Sequence, residues 1–306
     1  MSGWRAARVL LLAWLLAIVS ATPAAASADE RERITVDDLE VVAHEALSER
    51  LHEYTFRTPA LTHDTSVRVL LPEGYDPSGA TRYPMLFLLH GGGGSYRDWT
   101  EVGDAAAATA GLPLIVVMPD NLKHGNYVDW YNAGEGGPPM WETFIIGQLL
   151  PWVDATLPTI GQRHGRAVAG LSMGGGGAMG YATRHPDMFV AAAAFSGAVD
   201  TNTIPVQLLA QTSGMEDGAP LAGVYGLRAT QEIRWRGHNP WDLADNLRST
   251  YVELHTGNGL PGGPGGDVGD PVELAVWQMM TNLHNRLGQL SIAHLWNDYG
   301  PGGHTW

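Results

Sequence analysis

The chain has 306 residues, a formal net charge of −14 at pH 7 and no cysteine. An acidic surface repels nucleic acid and anionic membranes, so we expect neither as a partner. Without cysteine the chain has no disulfide, thiol nucleophile, zinc–cysteine site or iron–sulfur cluster. A fold of this length must therefore rest on an apolar core.

The first 28 residues have the pattern of a secretory signal peptide. Arg5 and Arg8 precede an apolar stretch over Val9–Val19, and Ala26-Ser27-Ala28 provides a small-residue cleavage site. A membrane anchor is the alternative, but the stretch is shorter than the roughly 20 residues that span a bilayer. We expect residues 1–28 to be removed and residues 29–306 to be exported as a single domain without a membrane span.

Apolar runs separated by helical patterns predict a mostly parallel sheet. Runs that are apolar on both faces are typical of buried parallel strands. The candidate strands are Ser66–Leu71, Met85–Leu89, Leu114–Met118, Ala167–Ala169, Val190–Phe195, Tyr251–His255 and Ile292–Leu295. The candidate helices are Ala105–Ala110, Trp141–Leu157, Gly175–Arg184, Pro240–Leu247 and Pro271–Leu287.

This alternation predicts an α/β fold with helices on both faces of the sheet. In such folds the functional site lies at the carboxyl ends of the strands. The charged segment Asp29–Leu51 is expected to lead into the fold, and Thr201–Thr230 and Gly257–Asp270 are expected to be insertions.

The segment Gly170-Leu171-Ser172-Met173-Gly174 matches the G-x-S-x-G pattern of a nucleophile elbow. Its turn requires small neighbours and holds the serine Oγ clear of the backbone, where a histidine can activate it for attack on a carbonyl carbon. Because the chain has 39 glycines, an ordinary glycine-rich turn is the alternative. The other catalytic parts follow in the expected order, which favours Ser172 as the nucleophile.

His304 follows the last predicted strand on a glycine-rich loop, and is the candidate base. From there it can take the proton of Ser172 and return it to the leaving group. His284 and His294 are competitors, but one lies in a helical pattern and the other enters a strand.

The histidine also needs an acid, which this chain order places between nucleophile and base. Glu273 is the candidate, with Asp267 and Asp270 nearby. The alternative is that Glu273 is an acid favoured by the dipole of the helix that it begins.

The oxyanion hole of such a site needs two backbone N–H groups. One is expected from Met173, which follows the nucleophile. The other is expected from Gly91 or Gly92, in the glycine-rich stretch after Met85–Leu89. A merely flexible turn is the alternative for this stretch. No metal or cofactor is expected to take part.

The sequence resembles a family of serine esterases of the α/β-hydrolase fold that includes esterase D, S-formylglutathione hydrolase and the secreted mycolyltransferases. The matching segments are LLHGGGGSYRDW, NYVDWYNAG, MWETFIIGQLLPWV, AGLSMGGGGAMGYATRHPDMF and GPGGHTW. The resemblance implies that Ser172, Glu273 and His304 form a triad and that Gly92 and Met173 supply the oxyanion amides. It also implies hydrolysis of small-molecule, lipid or sugar esters through an acyl-enzyme.

Two departures from the mycolyltransferase pattern are His90, where an acid is usual, and Gly92, where a bulkier residue is usual. They favour water over a sugar or glycerol hydroxyl as the acyl acceptor, with acyl transfer as the alternative. A binding protein that keeps the fold without catalysis is a further alternative, which the intact Ser172 and His304 disfavour.

Three aromatic residues are candidates for substrate binding: Trp130, Tyr131 and Trp306. Packing in the core or at the rim is the alternative for them. The resemblance further implies a terminal helix after the histidine motif, and the sequence stops at Trp306, so we expect that helix to be missing.

A fluorophosphonate probe is expected to label the protein once, within Ala169–Arg184, because only the elbow serine is expected to be activated. Peptide mass spectrometry of the labelled protein and of Ser172→Ala checks this. An adduct elsewhere, or labelling that persists in Ser172→Ala, would show that the nucleophile is another residue.

Overall fold

In the part of the chain that the structure describes, nine strands form one sheet in the order β1-β2-β3-β5-β4-β6-β7-β8-β9. The strands are β1 Glu40–Ala46, β2 Leu51–Arg57, β3 Thr65–Leu70, β4 Met85–Leu89, β5 Ile115–Pro119, β6 Arg166–Leu171, β7 Ala191–Phe195, β8 Tyr251–Thr256 and β9 Leu295–Asp298. The computed structural model describes residues 34–264 and 268–305. The predicted signal peptide, Asp267 and Trp306 lie outside these residues.

The sheet is mostly parallel, as the sequence predicts. β1, β2 and β3 pair antiparallel, and β3 also pairs antiparallel with β5. The pairs from β5 to β9 are all parallel. The carboxyl ends of β4, β6, β7, β8 and β9 therefore meet at one edge, where the candidate catalytic segments also lie.

Seven α-helices and several shorter helical turns connect the strands in the described ranges. The α-helices are α1 Asp98–Glu101, α2 Ala105–Ala108, α3 Leu150–Thr156, α4 Met173–Arg184, α5 Ile204–Thr212, α6 Glu232–Arg236 and α7 Pro271–Gln289. A π-helical segment, Thr143–Leu149, runs directly into α3. The 3-10 turns are Val36–Asp38, Asn132–Gly134, Arg163–Gly165, Met215–Asp217 and Ala244–Leu247.

Both faces of the sheet carry helices, but the apolar cluster on one face is much larger than that on the other. The larger apolar cluster includes Phe144 of the π-helical segment and Val153 of α3. It also includes Met179 of α4 and Met280 of α7. The smaller cluster has six buried residues among those described, including Ala105 of α2. The main core therefore lies on the face that α3, α4 and α7 cover. No helix in the described part of the chain is both long and apolar enough to cross a bilayer.

The sequence predictions fail at four of the described elements. β1 lies within Asp29–Leu51, where only a charged lead-in was expected, and β2 begins at the end of that segment and was not predicted. Both were missed because this hairpin is at the sheet edge and buries little apolar surface. β9 begins three residues after the predicted Ile292, because Ser291 takes a left-handed turn with φ 56°. The helix predicted over Pro240–Leu247 is only the 3-10 turn Ala244–Leu247.

Glycines in α4 allow the helix to lie directly on the strand ends. A Cβ at Gly174 would lie 2.2 Å from the backbone oxygen of Leu89, and one at Gly175 would lie 2.7 Å from Cα of Gly197. In contrast, a Cβ at Gly180, further along the same helix, would meet no atom within 4 Å. The first two glycines are therefore required by close packing.

Gly174→Ala and Gly180→Ala are expected to change stability in opposite directions. The first forces a methyl group against backbone and should lower the free energy of unfolding by about 1–3 kcal/mol. The second removes a mid-helix glycine without a clash and should raise it by about 0.5–1 kcal/mol. Denaturant titrations of both variants and the parent check this, and equal effects would contradict the packing described for α4.

Candidate active site

Ser172 occupies a strained turn between β6 and α4. Its φ of 55° and ψ of −117° are unfavourable for a residue with a side chain. Hydrogen bonds hold the turn: the Ser172 N–H donates to Phe195 O at 2.9 Å, and the Ala198 N–H donates to Ser172 O at 3.0 Å. A Cβ at Gly170 would lie 2.1 Å from Gly174 O, so the turn closes only around glycine. This is the elbow that the G-x-S-x-G pattern predicts.

The structure brings Ser172, His304 and Glu273 into one hydrogen-bonded chain. His304 Nε2 lies 2.8 Å from Ser172 Oγ, and His304 Nδ1 lies 2.6 Å from Glu273 Oε2. Because a carboxylate only accepts, Nδ1 carries the proton and donates it to Glu273. The Nε2 lone pair is then free to accept the hydroxyl proton of Ser172.

The Glu273 carboxyl is completely buried, with a relative exposure of 0%. Its second oxygen, Oε1, accepts hydrogen bonds from Ser196 Oγ at 2.7 Å, from the Gly257 N–H at 2.8 Å and from Thr256 Oγ1 at 3.2 Å. The carboxyl thereby joins the end of β7, the end of β8 and the first turn of α7. Each of its oxygens has a partner, as a buried carboxylate requires.

Sequence reasoning missed Ser196 and Thr256. Both are small hydroxyl residues at the carboxyl ends of β7 and β8, and this position was the signal that could have found them. Which of the many serines and threonines would reach the acid depended on the path of the loops.

Asp270 acts on the backbone of the candidate base. Its Oδ1 caps α7 by accepting from the N–H groups of Val272 and Glu273, and its Oδ2 accepts from the N–H of His304 at 2.8 Å. The hydrogen bond from His304, with those from the helix, holds the pKa of Asp270 below its usual range. A lowered pKa means that these contacts stabilise the fold at neutral pH and are lost only as the pH falls through that value.

The two competing histidines lie away from Ser172. His284 Nδ1 and His294 Nε2 are 2.7 Å apart and pair with each other. Asp267 is outside the described residues. Among the residues described, no group of three or more histidine, aspartate and glutamate side chains is placed to hold a metal ion.

Gly92 and Met173, whose amides are the candidate oxyanion donors, line the cavity of about 470 Å³ that Ser172 and His304 also line. A hydrogen bond holds the backbone just before Gly92, because the Tyr127 hydroxyl donates to His90 O at 2.9 Å. Within the described ranges, neither amide donates to a backbone oxygen, so both are available to an oxyanion.

The structure does not bring the predicted aromatic residues to this cavity. Trp130 is 4% exposed, and its indole N–H donates to Gly125 O at 3.1 Å. The ring of Tyr131 faces the guanidinium of Arg234 at 5.7 Å. Neither residue is among those that line the cavity. Core packing accounts for Trp130, and packing of the half-buried Tyr131 ring against Arg234 accounts for Tyr131. We propose no substrate contact for either residue; Trp306 is not described.

Comparison with known proteins adds to this geometry. A family model named Esterase matches residues 58–306. The chain belongs to this esterase family. An esterase of Mycobacterium tuberculosis (strain H37Rv) is 35% identical over 87% of this chain and 58% of its own length. The diacylglycerol acyltransferase/mycolyltransferase Ag85B of Mycobacterium leprae is 31% identical over 62% of this chain and 59% of its own length.

This member of the esterase family also has the expected fold. The solved structure of MPT51 from Mycobacterium tuberculosis superposes with a TM-score of 0.65 and 24% identity, over 82% of this chain and 90% of the other. The α/β-hydrolase fold that the sequence predicts is thereby confirmed. The chain spans less than two thirds of the length of the two curated relatives.

Glu273→Gln is expected to lower kcat by about 10³–10⁴-fold with little change in KM, because a glutamine cannot hold His304 in the required tautomer. Asp270→Asn is the matched control, since it alters a neighbouring acid that contacts only the backbone of His304. It is expected to cost about ten-fold or less. Steady-state kinetics on one soluble ester compares the two; a larger loss in Asp270→Asn would transfer the role of the acid to Asp270.

Proposed function

We propose that this protein is a serine carboxylesterase with Ser172 as nucleophile, His304 as general base and Glu273 as the acid that orients the histidine. The observation that carries the proposal is the continuous hydrogen-bonded chain from Ser172 Oγ through the His304 ring to a buried carboxylate. Its membership of the esterase family supports the same reaction class.

The first half-reaction forms an acyl-enzyme. His304 Nε2 takes the Ser172 proton as Oγ attacks the ester carbonyl carbon, and Glu273 stabilises the imidazolium. The amides of Gly92 and Met173 donate to the negatively charged carbonyl oxygen. When the tetrahedral intermediate collapses, the bond to the alcohol oxygen breaks and His304 returns the proton to that oxygen.

The second half-reaction repeats these steps with water. His304 takes a proton from water, the hydroxide adds to the acyl carbon, and the bond to Ser172 Oγ breaks. The products are the carboxylic acid and the free enzyme with its serine hydroxyl restored. No cofactor enters this scheme.

Acyl transfer is the second candidate function, with a sugar or glycerol hydroxyl in place of water. It is supported by the relative from Mycobacterium leprae that is named an acyltransferase and mycolyltransferase. Hydrolysis is favoured because the relative with greater coverage of this chain and higher identity is named an esterase.

We also propose that the enzyme is exported. The support is the pattern of residues 1–28, with Arg5 and Arg8 before an apolar stretch and a small-residue cleavage site. On this proposal residues 29–306 are one catalytic domain, which acts on esters outside the cytoplasm.

Purified enzyme is expected to release p-nitrophenol and free acid from p-nitrophenyl acetate in equal amounts. Added glycerol or trehalose is expected to leave the yield of free acid unchanged, because water is the proposed acceptor. Chromatography of the products with and without each acceptor measures this. Glyceryl or trehalose esters in place of free acid would favour the acyltransferase, and no p-nitrophenol would contradict both functions.

A further inference from the structure

The cavity beside Ser172 continues along one face of α4. From this helix it is lined by Gly176, Gly177, Gly180 and Arg184, which follow one another at the spacing of a single helical face. From Ser172 to Arg184 this face spans roughly 18 Å, at about 1.5 Å per residue. The cavity is therefore a channel that leads from the candidate nucleophile to the far end of α4.

Apolar side chains form most of the opposite wall. α7 contributes Val272, Val276 and Met279, and α5 contributes Leu209 and Ala210. A chain of methylene groups fits such a wall, because it gains by leaving water without requiring hydrogen bonds.

Gly180 is the position in α4 that keeps the middle of this channel open. A Cβ at Gly176 or Gly177 would lie 2.6 Å from Ala198 O or from the Tyr127 ring, so those glycines are fixed by packing. Gly180 lines the cavity too, and its Cβ would meet nothing within 4 Å. A side chain at position 180 would therefore extend into the channel itself.

The far end of the channel presents uncharged hydrogen-bonding groups. His238 Nδ1–H donates to Arg234 O at 2.7 Å, which leaves the Nε2 lone pair as an acceptor. Burial and the nearby charge of Arg184 lower the pKa of His238 to about 4, so the ring is neutral at pH 7. The Tyr225 ring packs edge-on against it, 6.0 Å away, and both residues line the cavity. Burial raises the pKa of Tyr225, which keeps its hydroxyl protonated.

The charged groups at this end already satisfy one another. Glu142 Oε1 accepts from Arg184 Nε at 2.9 Å and from His185 Nε2 at 2.7 Å, and Arg184 Nη1 donates to Gly237 O at 2.6 Å. Among the residues that line this end of the cavity, neither a cationic nor an anionic ligand end would find an unpaired opposite charge. By contrast, hydrogen bonds in the described part of the chain include no partner for His238 Nε2 or for the Tyr225 hydroxyl.

The direction of the channel identifies which half of an ester it holds. The leaving oxygen must face His304 Nε2, because that nitrogen returns its proton. His304, on the loop after β9, lines the cavity at its Ser172 end, and from there the channel follows α4 away from the candidate nucleophile. The acyl group is the part that enters the channel.

We propose that the channel takes a long apolar acyl chain whose far end carries a hydroxyl group. That hydroxyl donates to His238 Nε2 and accepts from the Tyr225 hydroxyl, while the methylene groups lie between α4, α5 and α7. This inference rests on the proposed esterase function and names its substrate class: esters of hydroxylated long-chain acids.

The test compares p-nitrophenyl laurate with its ω-hydroxy analogue, and uses p-nitrophenyl acetate to test the esterase function separately. The parent enzyme is expected to prefer the ω-hydroxy ester roughly ten-fold in kcat/KM, the value of one or two hydrogen bonds. Tyr225→Phe removes one oxygen and His238→Phe removes the acceptor. Each is expected to reduce that preference several-fold.

Gly180→Leu tests the path of the chain. It is expected to lower kcat/KM for both laurate esters at least ten-fold relative to acetate. Gly288→Leu is the matched control, because Gly288 is an exposed glycine in α7 whose Cβ also meets nothing within 4 Å. Circular dichroism verifies that each variant is folded.

The possible failures are distinguishable. No turnover of acetate overturns the esterase function and this inference together. Turnover of acetate with equal kcat/KM for the two laurate esters overturns the hydroxylated substrate class alone. An unchanged ratio of laurate to acetate in Gly180→Leu overturns the placement of the acyl chain along α4.

Discussion

The buried carboxyl of Glu273 is the constraint on which the rest of the site depends. A carboxylate without access to water costs several kcal/mol unless hydrogen bonds and an opposite charge offset it. Here Oε1 takes three hydrogen bonds from the ends of β7 and β8, and Oε2 takes one from the His304 ring. Any displacement of these loops would leave the buried carboxylate without hydrogen-bond partners. The free-energy cost of that loss holds the loops and the Glu273 side chain in place together.

The histidine loop is held at two points by acids at the start of α7: Asp270, the residue before the helix, and Glu273 in its first turn. Asp270 binds the backbone N–H of His304, and Glu273 binds its ring. Because Asp270 also caps the helix that carries Glu273, the start of this helix holds both His304 and the carboxyl that the His304 ring contacts. The loop is rich in glycine, and these contacts provide order that its sequence would not provide alone.

Glycines allow the close backbone contacts around Ser172. Gly170 and Gly174 allow the elbow to close, and Gly174 also allows α4 to lie against β4. Gly180 has no such packing role, and its lack of a side chain leaves the channel open. One glycine-rich segment therefore combines two features that its sequence alone does not separate: a tight turn at Ser172 and an open cavity beside α4.

Much of the fold could be predicted from the sequence, because buried parallel strands are continuous apolar runs and the elbow is a local pattern. Met85–Leu89 has the predicted bounds, and the other central strands differ by one to three residues. The edge strands β1 and β2 were missed, since a strand that buries little apolar surface has no such run, and β9 is displaced by the turn at Ser291.

The candidate site also contains some residues that the sequence could predict and others that it could not. Ser172, Glu273 and His304 could be selected from motif and chain order, and the structure places them within hydrogen-bond reach of each other. Ser196, Tyr225 and His238 could not, because their places depend on loops that meet only in the folded chain. Trp130 was selected for its aromatic character, which does not distinguish a core residue from a ligand platform.

Proton NMR of the His304 ring tests the central claim most directly. The account predicts a far-downfield, slowly exchanging Nδ1–H resonance in the parent enzyme at neutral pH, because that proton lies in a short hydrogen bond to a buried carboxylate. The resonance should be absent in His304→Ala and should move strongly upfield in Glu273→Gln. An identical resonance in the parent and in Glu273→Gln would contradict the role assigned to Glu273.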